Sequence, residues 1–366
     1  MNHKQRVHAA LTKQPADRVP IFMWFHPETA RKLSRKLGIP ASVLGEAMGN
    51  DVLQTWVNNN YAMEGIEHQR DGETHVDWWG ITWEKRHGFN QILKYPLAGA
   101  PREEVLAYKF PIERKEALLA LMEPVLHDRR DFFVGCDVSP CVYEMYWRLR
   151  GMDHAMLDMA GDAELAFEMF GRCADFAIEL GTAACERFAL DWYWTGDDVA
   201  GQRSMMMSPK LWRAEIRPHL KRVIDVGVAH KLPIAFHCCG AARPVIADLI
   251  EIGVNILNPI QSNCPGMNSA ELKREFGKHL TFMGGVDTQE MLPHASAAEV
   301  RRATEELIAT MTSDGGGYIL AASHTISPET PDDNIFAMYE AAGLSKAEIF
   351  DQAAAIRNRT TAVHAS

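Results

Sequence analysis

The chain has 366 residues, of which 47% are hydrophobic and 23% charged, and its formal net charge is -10. That length supports one large α/β barrel or two ordinary domains, while the acidic balance and the absence of any Lys/Arg-rich run argue against nucleic acid as a partner. The N-terminus, Met1-Asn-His-Lys-Gln-Arg-Val7, is polar, and no apolar run approaches the ~18 residues of a membrane span, so a soluble cytoplasmic protein with no membrane association is expected.

Apolar runs rich in Val, Ile, Phe, Leu and Trp recur over residues 19–24, 52–57, 132–137, 189–196, 234–239, 254–259, 280–286 and 318–323. Between the later runs lie amphipathic stretches at 209–230, 242–252, 269–276 and 297–313, long enough for right-handed parallel crossovers. Eight strands alternating with helices predict a single (β/α)8 TIM barrel of the α/β class, and no linker or compositional break divides residues 1–366 into more than one domain. The region 58–131 departs from this rhythm. Within it, residues 68–94 around Asp77-Trp-Trp-Gly-Ile-Thr-Trp83 read as a β-hairpin insertion, and the tail 358–366 is expected to fray. Seven cysteines, an odd number scattered through a chain too long to need disulfide staples, read as reduced thiols.

In such a barrel, polar residues at the C-terminal ends of the strands surround the active site. Those ends carry His26, Asn58, Asn59, Asp137, Asp197, Asp198, His237, Cys239, Asn258, Gln261, Asp287 and His324. Turns and helix caps also favour Asp and Asn, so part of this set has a structural explanation. The most pointed stretch is Pro233-Ile-Ala-Phe-His237-Cys-Cys239-Gly240. Residues two apart on an extended segment share a face, so His237 and Cys239 converge on one ion while Cys238 points away, and imidazole with thiolate is a donor pair that Zn²⁺ prefers. Two donors do not make a site, and buried cysteine also packs as a small hydrophobe. A third donor is offered by His324, because it follows the last strand, which adjoins the first in a closed barrel. Trp24, Phe25, Trp56, Trp192, Tyr193 and Trp194 lie at or near strand ends, and an aromatic pocket suits a methoxylated aromatic or a quaternary ammonium. Trp24, His26, Trp192, Trp194 and Asn258 are therefore candidate substrate contacts, although core packing explains many such aromatics and alternate members of the run 192–194 must face opposite ways.

His237-Cys-Cys239-Gly240, His324-Thr-Ile-Ser-Pro-Glu-Thr-Pro331, Asp191-Trp-Tyr-Trp-Thr-Gly-Asp-Asp198, Ser208-Pro209, Gly284-Gly-Val-Asp287 and Arg18-Val-Pro20 together resemble the uroporphyrinogen decarboxylase superfamily, from about residue 16 onward. That superfamily holds metal-free porphyrinogen decarboxylases and zinc-dependent methyltransferases that exchange methyl groups with a corrinoid or with coenzyme M. The decarboxylases carry an Arg-Gln-Ala-Gly-Arg motif after the first strand, whereas this chain has Met23-Trp-Phe-His-Pro-Glu-Thr-Ala30, with no arginine before Arg31. A polycarboxylated substrate loses its bidentate anchors there. The His-x-Cys-Gly motif matches the methyltransferases. The resemblance thus implies zinc on His237 and Cys239, with His324 where the methyltransferases usually place a cysteine; Cys264, Glu144 and Asp197 remain alternative third ligands. It implies Asp197 and Asp198 as the catalytic pair, supplying a proton or orienting His237. The substrate is expected to be a small methyl donor or acceptor, with the corrinoid brought by a separate protein, since Asp153-His154 lacks the spacing of a cobalamin-binding motif. A homodimer stays open, and the alternative activity is a metal-free decarboxylase of a smaller acid.

Overall fold

The computed structural model describes residues 1–59, 68–127 and 131–364. Its first strand, β1 (Val52–Trp56), is followed by a small antiparallel sheet of β2 (Thr74–Val76), β3 (Thr82–Arg86) and β4 (Phe89–Lys94). Six further strands then alternate with helices: β5 (Phe133–Asp137), β6 (Trp192–Gly196), β7 (Ile234–His237), β8 (Ile256–Ile260), β9 (Thr281–Val286) and β10 (Tyr318–Ala322). These six join β1 in one curled parallel sheet in chain order. All seven end at, or within a few residues of, the expected polar positions. The hairpin expected over 68–94 is a three-stranded sheet, and the C-terminal helix Lys346–His364 extends into the stretch 358–366 expected to fray, whose last two residues lie outside the described ones. No helix among the described residues is long and apolar enough to cross a membrane.

Seven regular strands stand where eight were expected. Residues 19–24 do lie between β10 and β1 but make only isolated parallel bridges, Ile21 with Leu320 and Phe25 with Ile326. On the β10 side, Phe22 N donates to Leu320 O at 2.9 Å and Leu320 N to Pro20 O at 2.8 Å. On the β1 side a backbone bond, Asp51 N to Ile21 O at 2.7 Å, is supplemented by side chains: Ile21 N donates to Asp51 Oδ2 at 2.8 Å and Met23 N to Asn50 Oδ1 at 3.2 Å. Backbone donors satisfied by neighbouring side chains have no need of a regular partner strand, so the sheet is barrel-like with an irregular seam.

Inside the sheet, Phe22, Val52, Phe133, Trp192, Trp194, Ile256, Met283 and Ile319 form one buried cluster, reached from the N-terminal end by Val7 of the helix His3–Leu11. Strand alternation decides the orientation of the aromatic run: Trp192 and Trp194 face this interior, while Tyr193 packs outward with the helices. Gly135 on β5 makes room for Trp192, because a Cβ there would lie 1.5 Å from the indole Nε1. Below the cluster, the fully buried Asp51 accepts from Arg6 at 2.5 Å, from Arg18 at 2.7 Å and from Ile21 N, with His3 Nδ1 at 2.8 Å. One carboxylate thereby ties the N-terminal helix and the irregular seam to β1.

Candidate metal centre and its two chambers

Parallel register builds the site in two rows. Trp56, Asp137 and Trp194 pair side by side at the ends of β1, β5 and β6, and Gly196, His237 and Asn258 do so across β6, β7 and β8. His237 Nδ1 donates to Asn258 Oδ1 at 2.7 Å. That tautomer leaves the Nε2 lone pair free. Nε2 lies 3.4 Å from Cys239 Sγ and 3.9 Å from Asp198 Oδ1, and the three donor atoms lie within 4.8 Å of one another. Backbone contacts hold the carboxylate in place: Cys239 N donates to Asp198 Oδ1 at 2.8 Å, and Asp198 N donates to Glu144 Oε2 at 3.2 Å. The chain then turns at Gly240, whose φ is +83° and whose Cβ, if present, would lie 2.4 Å from Gly201 O. No other residue type fits that turn without displacing the 201 backbone. Burial first, and Asp198 second, push the Cys239 thiol well above its ordinary range, so without a cation the thiol is neutral.

The cluster stands where two chambers meet. An outer chamber of about 1020 Å³ is lined by Cys239, Asp198 and His324 on one side and by Arg31, Lys85, His26 and His68 on another. An inner chamber of about 590 Å³ is lined by Trp24, Trp56, Trp83 and Trp194, with Asp137, Glu144, Arg148, Asp198, His237 and His324. The Trp24 ring lies 5.7 Å from the His237 ring and 5.4 Å from that of Trp56. Asp137 is fully buried in the inner wall, where burial pushes its carboxyl up to about 8 against the hydrogen bonds from Ser139 and Gln54.

The third donor differs from the expected one. His324 lines both chambers, but its ring is centred 6.5 Å from that of His237 and is not part of the cluster; Asp198 is. Its ring projects into the cavity with protein around it, and this desolvation, with His237 next, lowers its pKa. Cys264 hydrogen-bonds Gln202 at 3.3 Å instead. The two neighbouring aspartates diverge: Asp197 is buried outside both chambers, accepting from Tyr143 N at 3.1 Å and Glu144 N at 2.6 Å at the start of the helix Tyr143–Arg150. Among the candidate substrate contacts, Trp24 and Trp194 line the inner chamber and His26 the outer, where it also caps the helix Pro27–Leu37. Trp192 is buried in the barrel core beneath, because its strand position faces the interior one layer below Trp194. Asn258 serves His237 rather than a chamber wall. Trp83 and Arg148 are lining residues that the sequence pattern did not single out; Trp83 arrives from the insertion, and only the i,i+4 spacing of Glu144 and Arg148 signalled a pair, closed at 2.7 Å.

The sequence matches the uroporphyrinogen decarboxylase (URO-D) family over residues 135–343, from β5 to beyond β10. No curated protein matches it. Among solved structures, a methyltransferase from Methanosarcina mazei superposes with a TM-score of 0.66 at 17% identity, covering 94% of this chain and 98% of that one. A glycosylated endo-beta-1,4-xylanase of glycoside hydrolase family 10 from Gloeophyllum trabeum reaches a TM-score of 0.41 at 8% identity, covering 61% of this chain and 80% of that one. The similarity to the methyltransferase is one of fold, and the family match runs from within β5 through β10 and takes in Asp198, His237, Cys239 and His324. The chain belongs to the URO-D family.

Proposed function

We propose that this protein is a zinc-dependent methyltransferase that moves a methyl group between a small methylated compound and a corrinoid protein or a thiol. The observation that carries the reading is the Asp198, His237 and Cys239 cluster at the junction of the chambers. Zinc bonds of 2.0–2.3 Å place tetrahedral ligands about 3.3–3.8 Å apart; the Nε2 to Sγ separation of 3.4 Å falls in that range, and the Nε2 to Oδ1 separation of 3.9 Å lies just above it. Nitrogen, thiolate and carboxylate donors suit the ion, and three protein ligands leave a fourth position for a reactant. The methyltransferase of the same fold supports the reading by analogy alone.

Bound there, zinc would supply Lewis acidity, easing departure of an alkoxide or favouring the thiolate form of a thiol. The chain's own residues do the rest. Asn258 holds the His237 tautomer, the Cys239 and Asp198 backbone contacts set the third donor, and the indoles of the inner chamber exclude water from one face of the cluster. Asp198 faces both chambers, so it touches whatever enters either one. The decarboxylase alternative has less support, since Arg31 is the one arginine lining the outer chamber among the described residues.

Metal analysis of protein purified without a metal-binding tag tests the reading. One equivalent of zinc is expected in the wild type, lost in His237→Ala, Cys239→Ser and Asp198→Ala, and retained in His324→Ala. No zinc in the wild type after repletion, with activity unchanged in Cys239→Ser, refutes the metal-dependent reading.

A further inference from the structure

The two chambers differ in charge. The outer one presents Arg31 and Lys85 with Asp198 its one carboxylate among the described lining residues, whereas the inner one presents Asp137, Glu144 and Asp198 against Arg148 alone. Asp198 belongs to the metal cluster. Arg148 is occupied: it donates to Glu144 at 2.7 Å and to Asn59 O and Oδ1 at 3.0 Å, and its guanidinium lies 5.9 Å from the Trp83 ring centre. Of the inner chamber's acids, Asp137 therefore has no cationic side chain opposite it among the described residues. Its hydrogen bonds come from neutral groups, Gln54 Nε2 at 2.6 Å, Ser139 N at 2.8 Å and Ser139 Oγ at 2.5 Å.

That carboxyl stands in register between Trp56 and Trp194, and Trp24 packs 5.4 Å from Trp56 and 5.6 Å from Trp194. Trp24 and Trp56 are only half-buried, so indole faces are open to the cavity. Electron-rich rings backed by a buried carboxyl attract a poorly hydrated cation, and because burial raises that carboxyl to about 8, the docking cation itself favours the ionised form that then pairs with it.

We propose that the inner chamber binds the methyl-bearing substrate as a small quaternary or tertiary methylammonium cation, seated on Trp24 and Trp56 with Asp137 as the counter-charge behind them. Assigning this cation as the methyl donor rests on the methyltransferase reading above; the cation site itself does not. On transfer, the C–N bond breaks with its electron pair left on nitrogen, and the methyl carbon bonds to the lone pair of the acceptor, a thiolate or reduced corrinoid. The cation becomes a neutral amine and needs no proton. Loss of charge also loosens the product from the indoles and the carboxyl, which favours release.

Titration calorimetry of the full-length protein, at constant ionic strength and at a pH above 8 where the Asp137 carboxyl is ionised, compares choline with its uncharged isostere 3,3-dimethylbutan-1-ol. Choline is expected to bind at least ~10-fold more tightly, the range of a desolvated cation–π contact. Asp137→Asn removes that preference while leaving the isostere's affinity within about threefold, and Trp56→Leu weakens choline more than the isostere. Equal affinity for the two probes, no binding of choline, or a preference unchanged in both variants overturns the proposal. Far-UV circular dichroism checks each variant's fold, and if Asp137→Asn does not fold, Trp56→Leu decides alone. Zinc content is read on the same samples: cation selectivity without zinc sinks the metal-dependent reading and leaves this site standing, and zinc without selectivity does the reverse.

Discussion

Asn258 illustrates how much one side chain depends on its neighbour across a strand. Its position at the end of β8 marked it as a possible wall of the pocket, yet parallel register sets it opposite His237, where it takes the Nδ1 proton at 2.7 Å. A partner on the far nitrogen of a metal-ligating imidazole fixes its orientation and raises its basicity. Asn258→Ala is therefore expected to lower zinc affinity by about 10- to 100-fold in a chelator competition, with the circular dichroism spectrum unchanged. An unaltered affinity removes Asn258 from the metal site. Asp197 and Asp198 make the complementary point. Both were read as chemistry, and adjacency at a strand end sends one to a helix start and the other to the cluster. Which of the two faces the cavity depends on the local turn and not on residue type.

Between elements, the helices Ala163–Arg187 and Arg217–Ala229 pack through His219, which is buried against Gly171 and meets the Phe167 ring at a tilt, their centres 4.3 Å apart. Neither ring nitrogen finds a partner among the described residues. Burial, and then Arg222, lower its pKa, so the unfolded chain, with a histidine pKa of about 6.5, binds the proton more readily than the folded one. The sign follows from linkage: the contribution is complete above that value and is lost as pH falls below it. Wild-type melting temperature should fall between pH 7 and pH 5, and His219→Leu should reduce the fall. An identical slope in the variant assigns the acid sensitivity to other groups. The same element pair shows a boundary that pattern alone smoothed over, since the stretch 209–230 is two helices, Pro209–Glu215 and Arg217–Ala229. Pro218 cannot donate a hydrogen bond to the preceding turn, and the second helix starts around it.

At the scale of the whole molecule, Asp51 closes the end of the sheet opposite the chambers. Arg6 and Arg18 reach it from the N-terminal helix and the seam. Burial opposes its ionisation, yet His3, Arg18 and Arg6 together hold the carboxylate below the usual range. Breaking a buried ion cluster from one side strands the remaining charges. Asp51→Asn should destabilise the fold by about 3 kcal/mol in denaturant titration, and should loosen the first helix and the seam ahead of the metal site. A loss under about 0.5 kcal/mol would assign closure to Val7 and the apolar interior alone. Wild-type stability from this group is present above the unfolded carboxylate pKa of about 4 and declines as pH falls through its lower folded value.

Periodicity in the chain was enough to determine a parallel β/α architecture, because each apolar run and each amphipathic stretch must bury its own face, and seven of the eight runs became strands within a few residues of their expected limits. His237 and Cys239 likewise fall in one cluster as their spacing suggested, although β7 ends at His237 and the chain beyond it turns at Gly240. What only the tertiary structure decided depends on contacts between distant elements. The side chains of Asn50 and Asp51 are a case in point: they take the backbone donors of Met23 and Ile21, and so an expected strand became an irregular seam. Asp198, and not the expected His324, stands within 4.8 Å of the His237 and Cys239 donor atoms, and the inner chamber gathers tryptophans from the seam, β1, β3 and β6. Local pattern carries no record of such convergence; sheet curvature and register bring it about.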